Sequence, residues 1–188
     1  MVEIDRGESE DEGYWGGVVE LTNDWSEIIT THIVSFYHTE YYWFKRTGDG
    51  SAFGKVRIPV PAKSDFNGEY KDQALFKRNE DWRGFQSGDL VSFSFFDFNN
   101  GAGITAINLV FSPAESASME NLGITQSKVL LSIDRDATGT AFTFDWDGKS
   151  WTSTQLSFLM DGSVSNASTN PKEDIAFIST EGFLNPNT

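Results

Sequence analysis

The chain has 188 residues, 38% hydrophobic and 22% charged, a balance typical of a globular protein with a substantial core. Its formal net charge of −14 argues against nucleic-acid binding, which needs a basic surface, and against purely electrostatic attachment to anionic lipid. Because the chain has no cysteine, disulfides, thiolate nucleophiles and cysteine-ligated metals are excluded.

The N-terminal stretch MVEIDRGESEDEG is acidic and polar, and residues 1–20 carry seven acidic residues and one basic residue. This composition predicts a flexible acidic arm over residues 1–13, followed by a single domain over residues 14–188. The stretch lacks the basic start and apolar core of a signal peptide, and no apolar run approaches the roughly 18 residues of a membrane helix. We therefore expect a cytoplasmic or released protein, unless a leader peptide was removed.

The first half of the chain is rich in strand signals. Residues 16–23, 28–46 and 53–60 combine β-branched and aromatic residues between turn-forming pairs, which predicts strands in each segment. Residues 63–88 are rich in charge and turn residues, which favours long loops there with at most one short strand. Residues 89–97 and 104–111 are predicted to form a hairpin around Asn99-Asn100-Gly101.

One helix signal follows this hairpin. Ser112 stands at a capping position, Pro113 at the first helical position and Glu115 three residues after the cap, while Gly123 ends the segment. This pattern predicts a short helix over residues 113–122. Further strands are expected at 128–133, 141–146, 151–160 and 175–179, with a polar loop at 161–170. About ten short strands predict an all-β fold, an antiparallel β-sandwich or jelly roll.

The stretch SFYHTEYYWFKR (residues 35–46) holds six aromatic rings, a histidine and one glutamate. Strand alternation places His32, His38, Glu40 and Tyr42 on one face, and Tyr41 and Trp43 on the other. Neither face is cleanly polar, so one face is expected to pack as core. The other face then lies under a loop or displays rings to a ligand, and a metal site at the two histidines is a minor alternative.

Asp134 and Asp136 stand at the first and third positions of the sequence DRDATGT, with Asp145 at the twelfth. This spacing is that of an EF-hand calcium loop, although an ordinary β-turn also has such a composition. No cofactor is predicted, with calcium at Asp134, Asp136 and Asp145 as a weak alternative.

Two short motifs resemble those of known families. Glu40-Tyr41-Tyr42 resembles the nucleophile motif of the small jelly-roll xylanases, and Thr180-Glu181-Gly182-Phe183 resembles their acid/base motif. This resemblance implies a retaining glycosidase with Glu40 as nucleophile and Glu181 as acid. The segment YWGGVVELTN (residues 14–23) is similar to aegerolysins, which are acidic β-sandwich proteins that recognise membrane lipids.

The sequence thus favours a non-enzymatic, lectin-like binding protein that recognises a glycan or a lipid headgroup through exposed aromatic rings and loops. The ring candidates are Trp15, Trp25, Tyr41, Trp43, Trp82 and Trp151. The alternatives are the Glu40/Glu181 glycosidase and a structural β protein that assembles with copies of itself as a homo-oligomer.

Overall fold

A computed structural model describes residues 6, 9, 12–20, 26–46, 53–98, 103–136, 138–157 and 162–182. The first seven strands are β1 Gly13–Glu20, β2 Ser26–Ser35, β3 His38–Arg46, β4 Phe53–Ile58, β5 Ser64–Tyr70, β6 Gln73–Arg78 and β7 Leu90–Ser94. A single helical turn, α1 Phe95–Asp97, follows β7. The remaining strands are β8 Asn108–Phe111, β9 Ala117–Ile124, β10 Val129–Arg135, β11 Thr138–Trp146, β12 Trp151–Leu156, β13 Ser163–Asn170 and β14 Ile175–Glu181.

The described strands form antiparallel sheets in which chain neighbours pair. Three sheets have four strands each, in the orders β1-β2-β3-β4, β5-β6-β7-β8 and β9-β10-β11-β12, and β13 pairs with β14 in a two-stranded sheet. The all-β prediction is therefore confirmed. A jelly roll would bring together strands that are distant in the chain, whereas every sheet here is a meander whose strands follow chain order.

The chain divides into two compact units. The first unit comprises Met1–Ser87 and Phe93–Ala106, and the second comprises Gly88–Ser92 and Ile107–Thr188. The predicted acidic arm lies mostly outside the described residues, and β1 begins at Gly13.

The core of the first unit is a cluster of aromatic rings around Phe76, a fully buried residue of β6. Phe76 packs against Phe93 with ring centroids 5.5 Å apart, against Tyr41 at 5.4 Å and against Phe66 at 5.2 Å. Such offset and edge-on ring pairs add to the stability that burial of apolar surface already gives.

The core of the second unit lies on both faces of β10. Leu130 packs with Ala141 and Val164 on one face, while Leu131 and Ile133 are buried on the other. Both faces of β10 are buried, which explains why four of its first five residues, all but Ser132, are apolar.

Residues 63–88 differ from the predicted loops, because β5 and β6 form a hairpin within them. Its turn residues Lys71 and Asp72 have φ values of 48° and 67°, which is the left-handed region that tight hairpin turns require. Gly68, with φ of 107°, lies where the register of β5 shifts. The residues that form the turn of this hairpin are also typical of long loops, and for this reason the sequence predicted loops here.

The predicted helix over 113–122 is wrong. Residues from Ala117 onward form β9, which pairs with β10 along its length. The capping residue Ser112 instead donates its hydroxyl to Asp89 Oδ1 at 2.6 Å, and Ala117 N donates to Ala114 O at 2.9 Å to close a turn before the strand. Pairing with a buried central strand outweighs a local capping signal.

Residues 163–170 form strand β13, where a polar loop was predicted. Their polar composition fits an edge position, since Val164 is the only buried side chain among those described in this strand.

The pairing of β7 with β8 confirms the predicted hairpin strands, while the turn at Asn99-Asn100-Gly101 lies outside the described residues.

We predict that Phe76→Ala lowers the free energy of unfolding by about 3–5 kcal/mol, because it removes the ring that joins three others in the first unit. Urea unfolding followed by circular dichroism and tryptophan emission measures this loss. The matched control is Phe36→Ala, whose ring is 82% exposed and whose removal should cost less than about 0.5 kcal/mol. Equal losses in the two variants would contradict this account of the core.

Candidate functional site

A group of charged and polar side chains in the first unit lies on one face of the sheet β1–β4. The register of β2 and β3 places His32 opposite Glu40, and the register of β3 and β4 places Tyr42 opposite Arg57. Directly opposed residues share a face of an antiparallel sheet, so these four side chains lie together. The predicted common face of His32, Glu40 and Tyr42 is confirmed.

Glu40 is the centre of this group. Its Oε1 accepts from Arg57 Nη2 at 2.7 Å and lies 3.2 Å from His38 Nε2, and the Tyr42 hydroxyl donates to Oε2 at 2.5 Å. The side chain is 17% exposed. Both carboxylate oxygens therefore have partners, as a largely buried charge requires.

These partners set the charge of Glu40. The hydrogen bond from Tyr42 is the largest influence and lowers the pKa of Glu40, while desolvation by burial opposes it. The positive charge of Arg57 and the contact with His38 lower the pKa further. A lowered pKa keeps this carboxylate ionised at neutral pH, so that its charge and hydrogen bonds hold Arg57, His38 and Tyr42 in place.

Two of the predicted ligand-binding rings lie in the core of the first unit. Tyr41 is 5% exposed, donates its hydroxyl to Ser64 O at 2.7 Å and accepts from Phe66 N at 3.2 Å. Trp43 is 1% exposed, and its ring centroid lies 5.9 Å from that of Phe95. The burial of Tyr41 and Trp43 agrees with the expectation that one face of this strand packs as core.

Trp82 and Trp151 are half-buried and have neighbours of different kinds. The guanidinium groups of Arg78 and Arg83 lie 4.8 Å and 5.1 Å from the ring centroid of Trp82, within cation–π distance. Trp151 donates its Nε1–H to Ser92 Oγ at 2.9 Å, and its ring lies 5.4 Å from that of Trp146.

The remaining ring candidates are the Trp15 side chain and Trp25, which lie outside the described residues. Among the rings that are described, Tyr41 and Trp43 face one core, whereas Trp82 is covered by two arginines. No shared exposed platform emerges from these described rings, and ligand binding by them stays a prediction.

The calcium alternative does not match the hairpin of β10 and β11. Asp134 pairs with Gly139 at the turn end, whereas Asp145 lies six residues further along β11. At about 3.3 Å per residue, these carboxylates are about 20 Å apart and cannot share an ion. Asp145 instead pairs with Lys128 Nζ at 3.0 Å, and no metal-binding group of three or more His, Asp or Glu occurs within the described ranges.

Sequence reasoning singled out Glu40 and His38 but missed Arg57, which completes the cluster. The signal is the cross-strand register, because Arg57 lies 17 residues along the chain from Glu40 and only strand pairing brings them together.

No helix in the described part of the chain is both long and apolar enough to cross a membrane.

Comparison of the sequence with protein-family models gives no match. Among curated proteins, an uncharacterized peptidase, y4nA, from Sinorhizobium fredii is 26% identical over 193 aligned positions. That alignment covers 100% of this chain and 26% of the relative. The chain thus spans about a quarter of the length of the curated relative that it matches.

Solved structures of peptidases share the fold. A post-proline cleaving enzyme from Rickettsia typhi superposes with a TM-score of 0.81 at 19% identity, covering 95% of this chain and 27% of that one. A structure from a study of two prolyl endopeptidases has a TM-score of 0.64 at 21% identity, covering 93% and 24%. Prolyl oligopeptidase B from Galerina marginata, bound to a 35mer substrate, has a TM-score of 0.64 at 11% identity, covering 93% and 23%.

These comparisons correct the functional prediction. A non-enzymatic, lectin-like or lipid-binding protein is wrong as the leading interpretation, and so is a carbohydrate or lipid surface as the partner, because the relative and the structural neighbours are peptidases. The same findings give no support to the glycosidase alternative with Glu40 and Glu181. Glu181 lies exposed at the end of β14.

We predict that Glu40→Gln lowers the free energy of unfolding at pH 7 by about 1–2 kcal/mol, since it removes a charge with three bonded partners. Because the folded-state pKa of Glu40 is lowered, its stabilising effect is present above the unfolded-state pKa and is lost as the pH falls through the folded-state pKa. Urea unfolding at several acidic pH values should show the two proteins converging. The matched control, Glu12→Gln, removes the charge of an exposed side chain, and an equal loss there would contradict the role of the cluster.

We also predict a stability loss at alkaline pH that depends on Tyr41. Burial raises the pKa of Tyr41 to about 12, with the charge of Asp65 adding to it and the Phe66 N–H opposing it. The unfolded phenol ionises near pH 10, so the folded state loses about 2 kcal/mol of stability from this group as the pH rises from about 10 to about 12.

Urea unfolding across this alkaline range should show a shallower decline for Tyr41→Phe than for the unchanged protein. Tyr37→Phe is the control, because that ring is 67% exposed. An alkaline decline that is the same in all three proteins would refute the assignment to Tyr41.

Proposed function

We propose that this chain is a β-propeller segment of a peptidase that cleaves peptides after proline, and that it contacts and positions the peptide rather than breaking the bond. The observation that carries the proposal is the superposition of 95% of the chain on the Rickettsia typhi post-proline cleaving enzyme, with a TM-score of 0.81. The curated relative, also named a peptidase, aligns over the whole chain and supports the same interpretation.

The strand order supports a propeller in place of the predicted jelly roll. A propeller is built of successive four-stranded meanders arranged around a channel, each meander forming one blade. Sheets β1–β4, β5–β8 and β9–β12 each have four strands in chain order, which is the arrangement of a blade. In this proposal β13 and β14 belong to a fourth blade.

The described histidines support a role outside bond cleavage. Peptide hydrolysis by a serine or cysteine nucleophile needs a histidine that is open to the substrate and paired with the nucleophile. The His38 side chain is 42% exposed and bonds to the carboxylate of Glu40 at 3.2 Å, but to no serine hydroxyl within the described residues, and His32 is only 4% exposed. The sequence has no other histidine and no cysteine. In this proposal the bond-breaking residues lie in the remaining three quarters of a protein like the relative.

A segment graft tests the proposed function. The 27% of the Rickettsia typhi enzyme that superposes on this chain is replaced by residues 1–188, and cleavage of a chromogenic peptide after proline is measured. We expect the graft to retain turnover within about tenfold of the parent enzyme, because the two segments share their fold. The chain alone should give no turnover with the same peptide.

Two controls make the result decisive. The parent enzyme lacking the segment shows what the segment contributes, and circular dichroism with thermal unfolding shows that each protein is folded. A graft that folds like the parent but cleaves no better than the deletion would refute the proposed function. Turnover by the chain alone, retained through purification, would refute the non-catalytic role.

A further inference from the structure

A pocket of about 270 Å³ lies in the second unit, on one face of the sheet β9–β12. Phe111, Ile133 and Phe142 form its apolar walls, and Arg135, Thr140 and Gln155 supply its polar groups. Pockets that hold drug-sized ligands measure about 300–1,000 Å³, so this one has room for a single residue rather than for a long ligand.

Strand register explains why these groups share one face. Ile133 pairs with Thr140, and Phe142 pairs with Gln155, so the four side chains are cross-strand neighbours. Arg135 lies two residues after Ile133 on β10 and therefore points to the same side of the sheet. Phe111, at the end of β8, lies over them, with its ring centroid 6.2 Å from that of Phe142.

The charge of the pocket comes from Arg135, the only arginine in the sequence of the second unit. Its side chain is exposed, and within the described residues its guanidinium has no ion pair or hydrogen bond. The neighbouring Asp136 carboxylate accepts instead from Ser116 Oγ at 3.3 Å. A planar guanidinium beside an apolar wall is suited to bind a carboxylate through two parallel hydrogen bonds.

We propose that this pocket binds the C-terminal residue of a peptide. The free carboxylate would bind Arg135, an apolar side chain would pack on Phe111, Ile133 and Phe142, and Thr140 and Gln155 would bond the last peptide group. The proposal rests on the proposed function, since a peptidase meets such ends on both its substrates and its products. A phosphate group would leave the apolar walls without a partner, so a C-terminal residue fits the pocket better.

Titration of the ¹⁵N-labelled chain with N-acetyl-Ala-Phe tests the site, using the peptide as its free acid and as its C-terminal amide. Nuclear magnetic resonance should show saturable shifts at the amides of Arg135, Thr140 and Phe142 with the acid, and binding of the amide should be at least about tenfold weaker. Shifts should stay small elsewhere in the chain.

Three variants separate charge from shape. Arg135→Gln should weaken binding of the acid by about tenfold or more, whereas Lys149→Gln removes a positive charge on an exposed turn and should leave binding unchanged. Ala114→Phe adds a ring at the exposed edge of the pocket and should block binding while Arg135 remains. Spectra of the free variants show whether each one keeps the fold.

Equal binding of acid and amide, or equal effects of Arg135→Gln and Lys149→Gln, would overturn the proposal. An absence of binding by the folded chain up to about 10 mM peptide would also overturn it, and would favour a second copy or another protein segment as the occupant. The titration needs no turnover, so its outcome is distinct from that of the graft. Binding by the chain together with an inactive graft would leave the pocket assigned and the proposed function refuted.

Discussion

Burial of both faces of strand β3 is the constraint on which the first unit depends. One face carries Tyr41 and Trp43 into the ring cluster around Phe76, and the other carries Tyr42 and Phe44 beside Glu40. Buried polar groups on such a strand need partners, because each unpaired one costs about 1–3 kcal/mol, and among the described residues of β3 the Trp43 Nε1–H is left without one. The aromatic content of this strand therefore determines where hydrogen bonds must form.

The bonds around Glu40 and Tyr41 meet this requirement in two ways. The carboxylate of Glu40 bonds to the guanidinium of Arg57 and to the hydroxyl of Tyr42, and it contacts the imidazole of His38. Its negative charge is therefore balanced by residues of the same sheet. Tyr41 has no charged partner, and its hydroxyl is satisfied by the main chain at Ser64 and Phe66. These two neighbours in sequence thus link β3 to different parts of the unit, one to the adjacent strand β4 and the other to β5.

The sequence predicted those features that depend on local alternation. The all-β class, most strands and the shared face of His32, Glu40 and Tyr42 follow from a period of two in side-chain direction. Features that depend on pairing were not predictable. The turn at Lys71 and Asp72 uses left-handed residues that are not glycine, and β9 replaces a helix only because β10 lies beside it. Arg57 and Arg135 take their roles from register, which the sequence does not display.

The functional prediction failed for a related reason. Exposed and buried rings look alike in a sequence, and Trp43 shows this, because a residue suited to a ligand platform lies almost fully buried among phenylalanines. Trp82 has a partly exposed ring, but two guanidinium groups already lie on it. Composition therefore indicated how many aromatic rings the chain has, whereas tertiary packing decides which of the described rings are buried, as Trp43 is, and which are exposed, as Phe36 is.

The chain-order pairing of the strands has a consequence for how the protein reaches its fold. Paired strands are neighbours along the chain, and the longest connection within a sheet is the 13 residues between β7 and β8, so the entropy of closing a long loop is not required before a sheet begins to form. All-β proteins with distant pairings fold slowly, whereas hairpins form within about 1–10 µs. A meander can therefore assemble hairpin by hairpin as the chain emerges during synthesis, with its edges exposed only until the next strand arrives.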